Sequence, residues 1–467
     1  MYRLLGLFSI VVPQLIGITP NLYPDAPSAP IGLSAIPESG SSFLIAWVDN
    51  SNNEDGFRIE RRLPKGDWRS EGVAPANGAS FISAGCRAYT DYEHRVIAFN
   101  DHGETVSEPV SGTTLALLNQ RRGRVIEAGS ARQSEGAFVK LENGNLELYY
   151  SDMVTVSDLA EARISKKVSS DGGETWGKPE VVFVEKGMAL FLASILRLGD
   201  GNIAISYARR VPGEWYSKRV VRISEDEGET WGEEIAVSDG AYNYQTGSHD
   251  RFYRLGNDDL IILVHSVKGD PARPRQLVTD VFGSIDHGKS WERWTEESLD
   301  VPVNPFGHGE YGLWECAIAE LGNDEILMYG RNATGWIYSC RSQDNGRSWS
   351  EPEQTDIRNP LAPPYLKNIP GTSTLLLLST TMVDAKARLL GDRYVLASRI
   401  SEDGGLTWKN HKEIEYHTHD MWYDYPNVLF DGDFVHLSYR MIELTPTKRW
   451  DRVNLGYLKL PLIWFFE

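Results

Sequence analysis

One eight-residue pattern, S-x-D-x-G-x-[T/S]-W, occurs five times: Ser169 to Trp176, Ser224 to Trp231, Ser284 to Trp291, Ser342 to Trp349 and Ser401 to Trp408. Its aspartates stand at Asp171, Asp226, Asp286, Asp344 and Asp403, so the repeat is 55 to 60 residues long. Each copy reads as a tight turn. The Asp side chain is expected to hydrogen-bond backbone two residues on, as in an Asx turn; Gly supplies positive φ, and the closing Trp packs the turn onto its neighbour. Five equivalent aspartates cannot all sit at one site, so the motif is structural. One strand-turn-strand signal per period of this length predicts a radial array of small sheets, a six-bladed β-propeller within an all-β chain, and not a helical solenoid.

Length and composition allow this. The 467 residues, 41% of them hydrophobic, can bury more than one core. A formal net charge of −18 argues against nucleic acid or an anionic membrane surface as partner. An anionic substrate would need a tight local arginine cluster, because attraction beyond roughly 8 Å is screened at physiological salt. Three cysteines, Cys86, Cys316 and Cys340, are too few for a disulfide framework or a zinc site and read as small buried hydrophobes. No cofactor or metal is expected. Residues 1–24, with Arg3 followed by the apolar run Leu4 to Val12, are expected to be a secretory signal or a disordered tail, which points to a secreted, periplasmic or cell-surface protein. An uncleaved anchor is the alternative.

Short alternating strands such as Phe43 to Trp47 and Gly56 to Arg61 predict a sandwich over residues 25–118. The segment Tyr92 to Gly103 resembles the penultimate strand of a fibronectin type III domain. That resemblance makes Trp47 the core tryptophan and Tyr92 the corner tyrosine. A basic linker, 119–124, precedes the propeller expected over 125–467. Its sixth blade carries no box and is expected to be closed by strands from both ends of the region, the run Leu460 to Trp464 supplying one.

The box pattern resembles the Asp box of the sialidase superfamily. Polar residues unexplained by strand alternation or turns fall at matching places in the repeats: Arg132, Glu135, Asp158, Arg251, Glu315, Arg331, Arg393 and Tyr425. Each one alone reads as a surface charge or a structural pair. Together they resemble, in order and spacing, the sialidase set of arginine, acid/base aspartate, glutamate, arginine, arginine and tyrosine. The Ser134-Glu135-Gly136, His249-Asp250-Arg251 and Trp314-Glu315-Cys316 segments look most like the bacterial branch.

The resemblance implies an exo-α-sialidase acting on sialylated glycans or glycoproteins with retention of configuration. Arg132, Arg331 and Arg393 would grip the sugar carboxylate, a task suited to planar, permanently charged guanidinium groups. Asp158 would be the acid/base, Tyr425 the nucleophile and Glu315 its base. A tyrosine suits an anomeric carbon that bears its own carboxylate, and sialidases are an exception to the two-carboxylate rule. Tyr423 competes with Tyr425, since strict alternation puts both on one face. Arg399 competes with Arg393. Arg251 and Asp250 are expected to contact substrate or replace a triad member, Glu135 to touch substrate or orient Arg132, and His249 and His308 to line the pocket. Two other readings stay open: a propeller glycosidase for another sugar, and a non-catalytic glycan-binding or adhesion propeller.

Overall fold

A computed structural model describes residues 26–115, 123–126, 130–238, 245–269, 274–305, 307, 309–381, 393–416, 420–447 and 449–467. The expected signal or tail, most of the linker and His308 lie outside the described residues. The chain is nearly all-β. Among the described residues the one helical element is a 3-10 turn, Leu462–Phe465.

The first eight strands make two antiparallel sheets over one core. Ile31–Pro37, Ser42–Val48 and Ser80–Ala84 form one sheet, and Arg69–Pro75, Gly56–Arg62, Asp91–Asn100, Gly103–Val106 and Val110–Thr113 the other. Phe43, Ile45 and Trp47 from the first meet Phe57, Ile59, Tyr92 and Val96 from the second. Trp47 lies 5.4 Å from Phe57, ring to ring. The Tyr92 hydroxyl accepts the Arg87 amide proton at 2.9 Å, five residues upstream.

Six sets of strands follow, the first and the last joined in one eight-stranded sheet by a parallel bridge between Arg132 and Val453. The first contains Arg132–Lys140, Leu146–Met153, Ala162–Ser169 and Glu180–Phe183. The second has Ala189–Arg197, Ile203–Arg210, Ser217–Ser224 and Ile235–Ala236, and the third has Phe252–Arg254, Leu260–Lys268, Arg275–Ser284 and Glu292–Arg293. The fourth runs Trp314–Gly322, Glu325–Arg331, Trp336–Ser342 and Glu353–Arg358; the fifth runs Tyr365–Asn368, Leu375–Thr381, Val395–Ser401 and Lys409–Tyr416. The sixth joins Met421–Asp431, Phe434–Leu444 and Trp450–Pro461 to the early strand Arg124–Ile126, which pairs antiparallel with Trp450–Pro461. Thus both ends of the region do supply strands to this set. The C-terminal run is corrected, however: Leu460 and Pro461 finish the long strand, while Leu462, Ile463 and Trp464 turn into the 3-10 segment.

Second strands are buried on both faces, and in the fifth set this gives the continuous apolar run Leu375-Leu376-Leu377-Leu378, all fully buried. Fourth strands such as Glu180–Phe183 are largely exposed edges. First strands touch their successors in neighbouring sets: Arg132–Lys140 meets Ala189–Arg197, Trp314–Gly322 meets Tyr365–Asn368, and Met421–Asp431 returns to Arg132–Lys140.

Every box sits between third and fourth strands. In the fifth, Ser401 Oγ accepts the Gly405 amide proton at 2.9 Å and donates to Asp403 Oδ1 at 2.7 Å. Asp403 in turn accepts the Thr407 amide proton at 2.9 Å. The Asp bond therefore reaches four residues on, a wider loop than the two-residue Asx turn read from sequence. Positive φ recurs at the box glycines, with values of 84 to 86° at Gly173, Gly228, Gly288, Gly346 and Gly405. The tryptophans bridge backwards: Trp408 donates to Tyr329 of the fourth set at 3.1 Å, and Trp176 of the first set packs 5.2 Å from Tyr457 of the sixth.

Because Ser401 is fully buried and its hydroxyl is the partner of the Gly405 amide, Ser401→Ala strands a buried donor. A loss of about 1–3 kcal/mol is expected, read as a lower urea midpoint by tryptophan fluorescence.

Candidate functional site

The first strands are not regular. In four of them the pairing register slips by one residue: between Ser134 and Ala137, Phe191 and Ser194, Trp314 and Ala317, and Asp424 and Asn427. Inside each slip one non-glycine residue takes a left-handed backbone: Glu135 (φ 53°), Leu192 (φ 59°), Glu315 (φ 49°) and Tyr425 (φ 50°). Asp250 (φ 47°) does so just before the third set's first strand. A β-bulge of this kind turns one side chain out of the alternation. Each left-handed non-glycine residue costs on the order of 1–3 kcal/mol, which neighbouring contacts must offset. Here the four bulge side chains all face one cavity.

That cavity has a volume of about 180 Å³. Arg132, Arg331, Arg393 and Arg440 enter it with Glu135, Asp158, Glu315 and Tyr425, while Phe191, Leu192, Trp215, Trp314 and Trp450 supply apolar wall. A larger open groove of about 1030 Å³ beside Arg124, Trp176 and Arg452 gathers no comparable set.

At the cavity floor the Tyr425 hydroxyl donates to Glu315 Oε1 at 2.5 Å. Arg331 Nη1 donates to the other Glu315 oxygen and lies 3.5 Å from the Tyr425 oxygen. Burial alone would raise Glu315, but Arg331, His265 and the Tyr425 hydroxyl outweigh it and bring the carboxyl from 4.5 down to about 2. For Tyr425, burial and then Glu315 push the phenol well above its ordinary value against the pull of three arginines. The resting proton therefore belongs to Tyr425, and Glu315 is a carboxylate.

Across the cavity, Arg132 donates to Glu135 at 2.7 Å and to Asp158 Oδ1 at 2.5 Å. Asp158 lies on the loop after Leu146–Met153, its side chain 57% exposed at the mouth. Desolvation would raise it, but Arg132, followed by Arg440 and Arg210, holds it below the usual aspartate value. Arg393 donates to Asp424 and to the Leu361 carbonyl. Arg440 makes a two-oxygen bond to Asp424 at 2.6 and 2.8 Å and reaches Glu135 at 3.1 Å. Every cavity arginine thus has a carboxylate of the protein beside it.

Seven residues anticipated from sequence come together here: Arg132, Glu135, Asp158, Glu315, Arg331, Arg393 and Tyr425. Three do not. Tyr423 is fully buried in the hydrophobic core against Tyr439, ring centroids 6.2 Å apart, because the bulge at Tyr425 breaks the alternation that would have placed both on one face. Asp250 accepts the Tyr365 hydroxyl at 2.6 Å, and Arg251 donates to the Pro364 carbonyl at 2.6 Å; both tie the third set to the fifth, away from the cavity. His249 packs behind Tyr425, 5.3 Å ring to ring. Arg399 bonds His411 on an outer strand.

Sequence reasoning missed Arg440 and Asp424. A signal existed: on the second strand of its set Arg440 pairs with Asp424, the residue before the bulge, as Arg331 pairs with Trp314. Trp215, Trp314 and Trp450 carried no periodic mark.

A family model described as a BNR repeat-like domain matches residues 194–437, just over half of the chain. The chain belongs to this BNR repeat-like family. Among solved structures, this BNR-repeat protein is similar to the intramolecular trans-sialidase from Ruminococcus gnavus (TM-score 0.57, 14% identity, 75% of this chain and 99% of that one). The NanB sialidase from Streptococcus pneumoniae gives a TM-score of 0.56 at 12% identity over 93% of this chain and 98% of that one. A protein of unknown function from Dyadobacter fermentans gives 0.56 at 16% identity over 72% and 97%. At these identities the likeness is one of fold. No curated protein matches the chain.

Glu315 has a folded pKa depressed below its unfolded value, so its contribution to stability is present above about pH 4.5 and is lost as pH falls toward about 2. In Glu315→Gln the urea midpoint should change less with pH across that window than in wild type.

Proposed function

We propose that this BNR-repeat protein is a glycoside hydrolase, an exo-α-sialidase that works with retention of configuration through a tyrosine nucleophile. The observation that carries the reading is the Tyr425–Glu315–Arg331 contact inside a cavity that also holds Arg132, Arg393 and Asp158. We propose further that the six strand sets are the blades of a six-bladed β-propeller over residues 125–467, behind a fibronectin type III-like β-sandwich over 25–118. The return of the sixth set to the first supports the former, and the Tyr92 to Arg87 bond the latter. The proposed substrates, sialylated glycans, are extracellular, where the expected export signal would deliver the protein.

In this mechanism the phenol oxygen of Tyr425 attacks the anomeric carbon while its proton passes to Glu315. With Glu315 near pKa 2 that transfer is uphill in the resting site, so it proceeds in concert with bond formation. Asp158 protonates the departing glycosidic oxygen and later removes a proton from the water that releases the sugar. The substrate carboxylate sits among Arg132, Arg331 and Arg393. By competing for Arg132 it displaces Asp158, and loss of that ion pair raises the aspartate toward the range a general acid needs.

The prior pairing of every cavity arginine with a carboxylate favours a second reading, a propeller glycosidase for a less acidic sugar. A panel of aryl glycosides decides between them. Release of phenol from the aryl α-sialoside alone supports the first reading; release only from neutral or uronic glycosides supports the second. Saturable glycan binding without turnover would overturn both.

For the sialidase reading, Tyr425→Phe should abolish turnover and Tyr423→Phe should leave it within a few-fold. Asp158→Asn is expected to cost about 10²–10⁴-fold on an alkyl-linked glycan, whose leaving oxygen needs a proton. The loss should be much smaller on an aryl sialoside. Equal losses on the two substrates would remove Asp158 from the acid role.

A further inference from the structure

Arg440 is the cavity arginine that no part of the reaction above employs. It is fully buried, and its guanidinium carbon lies 4.1 Å from the centre of the Tyr425 ring. The same fork bonds both oxygens of Asp424, the residue just before Tyr425, at 2.6 and 2.8 Å. Its remaining Nη1 reaches Glu135 at 3.1 Å. Trp450 covers it at 4.7 Å. One side chain from the neighbouring strand therefore clamps two consecutive residues of the bulge, Asp424 by hydrogen bonds and Tyr425 across its face. With its fork committed to two protein carboxylates, little of Arg440 is left for a ligand. Arg331, by contrast, uses a single nitrogen for Glu315 and Tyr425.

We propose that Arg440 is a positioning residue for Tyr425, holding the ring in its left-handed bulge and stabilising negative charge on the phenol oxygen, and that it does not grip substrate. Other charged or titratable groups also face Tyr425. Glu315 comes from Trp314–Gly322, Arg331 from Glu325–Arg331, Arg393 from the segment leading into Val395–Ser401, and His249 from the segment before Phe252–Arg254. Glu315 opposes ionisation, and the cations favour it. Burial and Arg251 hold His249 down to about 4, so it is neutral near pH 7. Among the cations, Arg440 is the one that covers the ring face, and a cation so placed interacts with the ring quadrupole as well as with the oxygen.

The geometry makes removal of Arg440 tolerable: Asp424 keeps Arg393 and Glu135 keeps Arg132, so Arg440→Gln strands no carboxylate. The test replaces Tyr425 with 2,3,5-trifluorotyrosine by genetic-code expansion in the full chain, which lowers the intrinsic phenol pKa by several units into an accessible range. Its ionisation is followed by fluorine NMR and near-ultraviolet absorbance. Arg440→Gln is expected to raise the midpoint by about 1–3 pH units. Arg440→Lys keeps the cation but cannot both cover the ring and bond two oxygens, and should raise it less. A wild-type midpoint in whichever variant folds overturns the proposal.

The kinetic arm rests on the glycosidase reading. On the aryl glycoside that wild type cleaves, Arg440→Gln should lower kcat with KM nearly unchanged, and a raised KM at unchanged kcat would overturn the assignment in favour of ligand contact. If wild type cleaves no member of the panel, the glycosidase reading fails, while the fluorotyrosine titration still decides whether Arg440 acts on Tyr425.

Discussion

The site depends on one backbone constraint, an extra residue held in the left-handed region inside a first strand. Without the slip, Glu135, Glu315 and Tyr425 would follow the regular alternation of their strands, and the cavity would lose its acid cluster and its phenol. The conformation is unfavourable for glutamate and tyrosine alike. It is held by ion pairs and packing on both sides: Arg132 on Glu135, Arg331 on Glu315, and Arg440 on the Asp424–Tyr425 pair. The cations thus serve geometry as well as charge.

This dual role shapes the electrostatics. An isolated buried arginine would be costly, and four together would repel. Pairing each with Glu135, Asp158, Glu315 or Asp424 lets all four remain in a cavity of about 180 Å³ inside an acidic protein. A ligand anion therefore does not meet bare cations. It must exchange for a carboxylate already present, and Asp158, exposed at the mouth, is the one placed to yield. On the glycosidase reading proposed above, selection among sugars would rest on exchange at that mouth more than on long-range attraction.

The all-β character and the turn chemistry were legible in sequence because they rest on local rules: a five-fold motif with glycines where positive φ is needed, and apolar runs for strands covered on both faces. Seven of the ten anticipated site residues share the cavity because the repeat itself puts strand ends in register. The departures have separate physical sources. Strict alternation through the first strands would put Tyr423 beside Tyr425, but the bulge sends Tyr423 into the core. Asp250 sits at the comparable place in the third set, yet its side chain turns to Tyr365. Arg440 is hidden for another reason: its position repeats that of Arg331, but the sixth set has no box to mark the repeat.

The early strand Arg124–Ile126 completes the sixth set only by pairing with Trp450–Pro461. During synthesis the ribosome makes the former long before the latter, so the nascent chain carries an unmatched edge until Trp450–Pro461 is made. Tyr425 and Arg440 likewise follow all five other sets in the chain. The cavity's full complement therefore needs the same sixth set whose last strand covers that edge, which couples competence of the site to synthesis of that set.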